Sequence, residues 1–265
     1  MDNLSVTLFQ TGLHWQSIEA NLAMLEEKLW DSGPETDLII LPEMFNTGFT
    51  MQAKEYAEPS NGKTHQWMLK MSRQFKAAIT GSVITRENND YFNRLLWVYP
   101  DGRTDYYDKR HLFRPGGEHG RFTQGRKILT VELKGWKIRP LVCYDLRFPV
   151  WSRNKTDHEK GALAFDLLVY SANWPAPRIE VWETLLRARA VENSSYCIGV
   201  SRTGVDGEKV SYNGHSMISD YRGRAIWHAG EEDVIYTTVL GRKELEQYRS
   251  QFPVHLDSDD FTLQY

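Results

Sequence analysis

Leu141-Val142-Cys143-Tyr144-Asp145-Leu146-Arg147-Phe148-Pro149 is the stretch on which the reading of this chain turns. The residues leading into it, Trp136–Val142, read as a strand, because Ile138, Leu141 and Val142 are apolar and β-prone. Beyond it, Phe148-Pro149-Val150-Trp151 reads as the start of a helix, with Pro149 tolerated in a first turn. Cys143 then sits where a buried strand hands over to a helix. Such a corner exposes a side chain at the carboxyl edge of a sheet and leaves backbone N–H groups unpaired. A thiol there is expected to have its pKa lowered toward the thiolate. The N–H of Tyr144 is placed to stabilise negative charge developing on a substrate oxygen. Free cysteine is also among the most buried residue types, so the stretch alone leaves both a nucleophile and an inert thiol open.

Working outward, 265 residues allow one large domain or two small ones. No Ser/Gly-rich linker, low-complexity tract or repeat interrupts the chain, which reads as one domain over 1–265 with 249–265 as a tail. An apolar fraction of 41% is enough for a sizeable core. The net charge of -3 argues against a nucleic-acid or anionic-membrane binder. No stretch is long and apolar enough to cross a bilayer, and residues 1–10 lack the pattern of a secretory signal. Two cysteines, Cys143 and Cys197, make no disulfide framework, and a reducing cytoplasm is expected. Cys197 reads as buried and inert. The eight histidines look scattered, with no metal-ligand spacing, so neither metal nor organic cofactor is expected.

Hydrophobic periodicity predicts helices over residues 17–30, 64–76, 178–193 and 242–248. It predicts strands over 4–9, 38–41, 77–85, 91–99, 104–107, 128–133, 137–142, 167–170, 195–201, 212–218, 225–228 and 234–239. Several strands follow one another without an intervening helix, so the fold class is α/β in the layered α+β sense. Three buried strands end in polar residues, Glu43, Cys143 and Asn173, and carboxyl ends of strands are where sites in such sheets are built.

Taken singly, these residues also have plain readings. Glu43 fits a helix start, Lys109 a solvated charged run, and Glu118 an ordinary loop acid. Together they are more specific. A thiol needs a base, which a buried carboxylate can supply. An oxyanion needs a positive partner, which a fixed ammonium supplies. A second carboxylate can hold that lysine charged.

Leu41-Pro42-Glu43-Met44-Phe45, Tyr107-Asp108-Lys109-Arg110-His111-Leu112-Phe113 and Val142 through Pro149 resemble, in order, the three signature segments of the nitrilase (carbon–nitrogen hydrolase) superfamily. The resemblance continues through Ser171-Ala172-Asn173-Trp174-Pro175 and Arg187-Ala188-Arg189-Ala190-Val191-Glu192-Asn193, and fades after Tyr248. It implies a four-layer α-β-β-α sandwich, usually dimeric. It also implies a triad of Glu43 as general base and acid, Lys109 as oxyanion stabiliser and Cys143 as nucleophile. Glu118, in Gly117-Glu118-His119, matches a second glutamate that many members carry. Within the superfamily the motif contexts look most like the bacterial omega-amidases, which are similar to enzymes deaminating the terminal amide of 2-oxo acids such as 2-oxoglutaramate and 2-oxosuccinamate. The expected partner is a small-molecule amide. Tyr144-Asp145 replaces the Trp-Glu that typifies true nitrilases. N-carbamoyl amino-acid hydrolysis stays open, as does a catalytically silent scaffold.

Arg147, about one helical turn beyond Cys143, is expected either to grip a substrate carboxylate bidentately or to pair with Asp145, Glu183 or Glu192. Phe45, Trp174 and Trp182 are candidates for the pocket wall, although aromatic residues are more often core. His111 offers a Cys–His dyad on paper. Packing or hydrogen bonding beside the lysine fits it better, given Glu43.

Overall fold

Alternation of apolar side chains decides which way each strand faces. In β1 (Leu4–Gln10), Leu4, Val6 and Leu8 turn into one buried cluster and Phe9 into another. That is the period of two expected of a strand covered on both faces. The computed structural model describes residues 3–264; residues 1, 2 and 265, at the ends of the stretches read above, lie outside it. After β1 come α1 (Ile18–Ser32), β2 (Leu38–Ile40), the single turn α2 (Ala53–Tyr56), β3 (Glu58–Pro59), α3 (Lys63–Phe75), β4 (Ala78–Glu87), β5 (Asp90–Val98) and β6 (Thr104–Asp108). A loop with two 3-10 turns, Arg114–Gly116 and Glu118–Gly120, leads to β7 (Val131–Leu133) and β8 (Trp136–Val142). The 3-10 turn Cys143–Arg147 follows, then the hairpin β9 (Thr156–Asp157) and β10 (Ala162–Leu163), β11 (Leu167–Ala172) and α4 (Ile179–Glu192). The chain continues through β12 (Tyr196–Ser201), β13 (Thr203–Val205), β14 (Ser211–Asn213), β15 (Met217–Ser219), β16 (Ala225–His228), β17 (Val234–Leu240) and α5 (Arg242–Gln251).

Two large sheets result. One has the order β17-β1-β2-β4-β5-β6, with β3 added to β4; the other runs β16-β15-β12-β11-β8-β7. Leu38 and Ile40 of the first face Leu167, Val169 and Ile198 of the second in a shared core. Outside the first sheet, Leu22, Leu25 and Leu29 of α1 and Met68 and Met71 of α3 cover Ile39 and Ile79. Outside the second, Trp182, Leu186 and Ala190 of α4 cover Leu168, Tyr170 and Cys197. The layers are α-β-β-α, and each fully buried Leu contributes roughly 1.5–3 kcal/mol. Cys197 is buried, as expected.

Three elements differ from the sequence reading. No helix starts at Phe148. The turn that opens at Cys143 closes at Arg147, and Phe148 is extended (φ -115°, ψ 90°), the conformation that a following proline imposes. The strand expected over 212–218 is broken in two at Gly214 and His215, which both have positive φ (73° and 54°). The cause is Gln10, whose side chain fills the gap: Ser216 N–H donates to its Oε1 at 2.8 Å, and its Nε2 donates to Gly230 O at 2.9 Å. The last helix runs to Gln251, and the following segment lies on its own chain, with Thr156 Oγ1 donating to His255 O and Lys155 Nζ to Phe261 O.

Candidate active site

Four strand ends converge on one cavity of about 520 Å³. Glu43 follows β2, Lys109 follows β6, Cys143 follows β8 and Asn173 follows β11. Local chemistry sets each exit. Ser82 holds the turn after β2, accepting Met44 N–H at its Oγ (2.9 Å) and Phe45 N–H at its carbonyl (3.2 Å). Lys109 is fixed by its own backbone: its N–H donates to Asn93 O, and its carbonyl accepts Gly125 N–H, each at 2.9 Å. Only glycine fits at 125, because a Cβ there would lie 1.9 Å from Asp108 O. Cys143 itself sits at φ 43°, a left-handed conformation rare outside glycine and asparagine. Such strain persists only where the surroundings over-determine it.

Those surroundings are specific. Asp145, fully buried, accepts Val142 N–H (3.1 Å) and Tyr107 O–H (2.7 Å) on one oxygen. On the other it accepts His111 N–H (2.9 Å), with His111 Nδ1 at 2.8 Å. One carboxylate thus fastens the lysine loop to the cysteine turn. His111 also stacks on Phe148 at 3.8 Å, so it braces the lysine loop. From the opposite side Arg189 of α4 donates to Leu146 O at 2.6 Å.

Inside, Lys109 Nζ donates to Glu43 Oε1 (2.8 Å) and to Glu118 Oε2 (2.8 Å), with all three side chains out of solvent. Asn93 Nδ2 donates to Glu43 Oε1 (2.8 Å) and Glu118 Oε1 (3.0 Å), bridging the two acids. Glu43 Oε2 accepts Asn173 N–H at 3.0 Å, and Asn173 Nδ2 donates to Glu43 O at 2.8 Å. Glu118 also accepts Phe113 N–H at 2.5 Å. Cys143 Sγ lies 3.8 Å from Asn173 O. The Cys143–Arg147 turn starts at the cysteine, so the Tyr144 N–H belongs to the first-turn donors that find no partner within their own turn.

The electrostatics correct one expectation. The Cys143 thiol is pushed well above its ordinary pKa, not below it. Burial is the largest cause, the Glu43 carboxylate adds to it, and Lys109 only partly offsets them. Burial would strip the proton from Lys109, but Glu118 and Glu43 outweigh it and hold the ammonium above its usual range. Glu118 is raised by burial and by Glu43, against the pull of Lys109. The resting arrangement is a neutral thiol beside a permanently charged amine.

Cys143, Glu43, Lys109, Tyr144, Arg147, Asn173 and Trp174 all line the cavity. Glu118 stands behind Lys109. Two expected wall residues do not reach it. Phe45 is fully buried against Trp67 and Gly81 in the helix-covered core. Trp182 lies behind Trp174, its Nε1 donating to His215 O. Arg147 has its guanidinium 5.2 Å from the centre of the Trp174 ring, and no carboxylate among the described residues lies within ion-pair distance of it, so the pairings with Asp145, Glu183 and Glu192 are not formed. The sequence reading missed Asn93, Asp145 and Tyr107, and also Arg178, a second cation on the cavity wall. For the first, the signal available was a polar pair, Asn93-Arg94, set between the aromatic and aliphatic residues of its strand.

Fold and cavity together place the molecule among the amide-type hydrolases of the α-β-β-α architecture. The chain belongs to the carbon-nitrogen hydrolase family, whose profile matches residues 5–249. It is 43% identical over 264 residues to omega-amidase YafV of Yersinia enterocolitica, covering 99% of this chain and 100% of that protein. It is 31% identical to the 2-oxoglutaramate amidase of Bacillus subtilis, covering 96% of each. A CN-hydrolase superfamily protein from Xanthomonas campestris, solved with an arsenic adduct in its active site, superposes with a TM-score of 0.97 over 100% of both chains at 44% identity. The protein is a hydrolase of carbon–nitrogen bonds other than peptide bonds.

Proposed function

We propose that the protein is an omega-amidase that releases ammonia from the terminal carboxamide of small 2-oxo acids of the 2-oxoglutaramate and 2-oxosuccinamate type. The observation that carries the reading is Arg147, a cation with no acidic partner among the described residues, opening into the cavity that holds Cys143. A guanidinium so placed recognises a carboxylate. The identity to omega-amidase and 2-oxoglutaramate amidase relatives points the same way.

The chemistry follows from the contacts. Glu43 takes the thiol proton of Cys143 as the sulfur attacks the carboxamide carbon, so no free thiolate has to accumulate. Lys109 has three N–H donors; Glu43 takes one, the two Glu118 oxygens at 3.1 and 2.8 Å share a second, and the third is assigned to the oxyanion with the Tyr144 N–H. The C–N bond breaks, ammonia leaves with the proton from Glu43, and a thioester remains on Cys143. Glu43 then removes a proton from water, which attacks the thioester, releases the acid and restores the thiol. Asn173 positions Glu43, and Glu118 keeps Lys109 charged. Trp174 walls the substrate carbon chain. Residence in the cytoplasm and pairing of two copies complete the proposal; no helix among the described residues is long and apolar enough to cross a membrane.

Ammonia release from 2-oxoglutaramate, 2-oxosuccinamate, N-carbamoyl amino acids and uncharged amides tests the reading. Fastest turnover of the 2-oxo acid amides is expected. A preference for carbamoyl substrates would move the assignment to that branch, and no release from any amide would leave a silent scaffold.

A further inference from the structure

Away from the cavity, Glu183 on α4, His215 before β15 and His228 at the end of β16 bring one carboxylate oxygen and two ring nitrogens within 4.8 Å of one another. Antiparallel pairing gathers them: Met217 faces His228, and His215 N–H donates to Gly230 O at 2.9 Å. His215 Nδ1 stands 2.5 Å, and His228 Nε2 2.8 Å, from the same atom, Glu183 Oε1. The two rings meet edge to face at 4.9 Å. His215 Nε2 is buried with no hydrogen-bond partner. Glu231 Oε1 is 3.7 Å from it, too far for a hydrogen bond.

Direct hydrogen bonding explains the two short contacts but leaves that buried nitrogen unsatisfied. A cation on Nδ1 accounts for the convergence of the three donor atoms and puts the ring proton on Nε2, on the side of Glu231. Two imidazoles and a carboxylate are a donor set for Zn²⁺ and similar ions. A histidine that ligates a metal ordinarily donates its other N–H to a carboxylate, and Glu231 is the acid nearest to that role.

We propose that Glu183 Oε1, His215 Nδ1 and His228 Nε2 form a site for a divalent transition ion of the Zn²⁺ type, with solvent completing the shell. Bonds of roughly 2.0–2.1 Å in a tetrahedron separate ligand atoms by about 3.3 Å. The two carboxylate–imidazole contacts therefore lengthen by less than about 1 Å on loading. His228 Nδ1 now accepts Gly230 N–H at 3.2 Å. A metal on Nε2 puts the ring proton on Nδ1, so that contact breaks and the turn at Gly230 shifts.

Chelator-treated full-length protein carrying Cys143→Ser, which removes the cavity thiol as a competing ligand, is titrated with Co²⁺ and then Zn²⁺. One equivalent of Co²⁺ per chain is expected, with a visible d–d band, no sulfur charge-transfer band, and displacement by Zn²⁺. Glu183→Gln or His228→Ala should weaken uptake by more than a hundredfold, and Glu231→Gln by about tenfold. In the chain that keeps Cys143, the same three substitutions should leave ammonia release within twofold. Glu183→Gln is nearly isosteric, so the test holds even if His228→Ala disturbs its edge strand. Absence of saturable uptake at micromolar ion, or uptake that survives Glu183→Gln, overturns the site.

Discussion

Lys109 Nζ lies 2.8 Å from Glu43 Oε1, and both side chains are wholly out of solvent. Glu118 closes the group from the other side at the same distance. Removing one member of such a group leaves uncompensated buried charge, at a cost of about 3–5 kcal/mol. Lys109→Met, which strands two carboxylates, should lower the unfolding free energy from denaturant titration by an amount in that range and abolish ammonia release. Glu118→Gln keeps the shape and should spare most of the stability while cutting kcat about a hundredfold. Equal losses of stability from the two substitutions would contradict this division of labour.

The raised thiol makes a prediction about alkaline pH. The ordinary value for the group is 9.0, and the folded chain holds the proton above it. As pH rises through 9, the unfolded state loses the proton first and binds fewer protons than the folded state, so stability falls with pH. Lys109, Tyr107 and Tyr170 are also raised and act in the same direction at higher pH. Melting temperature recorded from pH 8 to 11 should decline, and between 9 and 10 the Cys143→Ala chain should decline less steeply. Parallel curves would show that the thiol is not held neutral.

Arg147 separates binding from chemistry. Its substitution by Met should raise KM for 2-oxoglutaramate by about tenfold to a hundredfold, the worth of a charge-assisted hydrogen-bonded pair. Uncharged amides should be turned over as before. A uniform loss across charged and uncharged substrates would make Arg147 structural.

Asp145 should behave as a positioning residue. Its carboxylate accepts from Val142 N–H, Tyr107 O–H and His111 N–H, and the amide of Asp145→Asn must turn a donor toward at least one of these donors. About 1–3 kcal/mol of stability should be lost, together with kcat, while KM changes little. Iodoacetamide labelling of Cys143, followed by mass spectrometry, should change in rate in the same variant, because the turn that presents the sulfur is no longer held.

How much of this was legible in the sequence depends on the range of the interaction. Glu43 and Cys143 were readable because each follows a buried strand within a distinctive local motif, and Lys109 was readable from its motif alone, since the strand before it is a half-exposed edge strand. Glu118 was readable as a likeness and as a chemical need for a second acid. Phe45 was misjudged because neighbourhood in sequence to Glu43 says nothing about direction: the turn after β2 sends Glu43 into the cavity and Phe45 into the core against Trp67. The direction of the Cys143 shift depends on burial and on a carboxylate 100 positions away in the chain, which no local pattern carries. Likewise His215 and His228 look scattered until the register of β15 against β16 brings them together. The break at Gly214 was hidden for the same reason, since the side chain that causes it belongs to β1.

In the proposed reaction the Cys143 sulfur becomes covalently acylated with help from Glu43 and Lys109. Rapid acid quench during turnover of 2-oxoglutaramate, followed by mass spectrometry of the peptide spanning Cys143, tests it directly. An adduct on that cysteine with the mass of the substrate less ammonia is expected, formed in step with a burst of ammonia and missing in Cys143→Ala. Full ammonia release by Cys143→Ala, with no adduct on the wild-type cysteine, would contradict it.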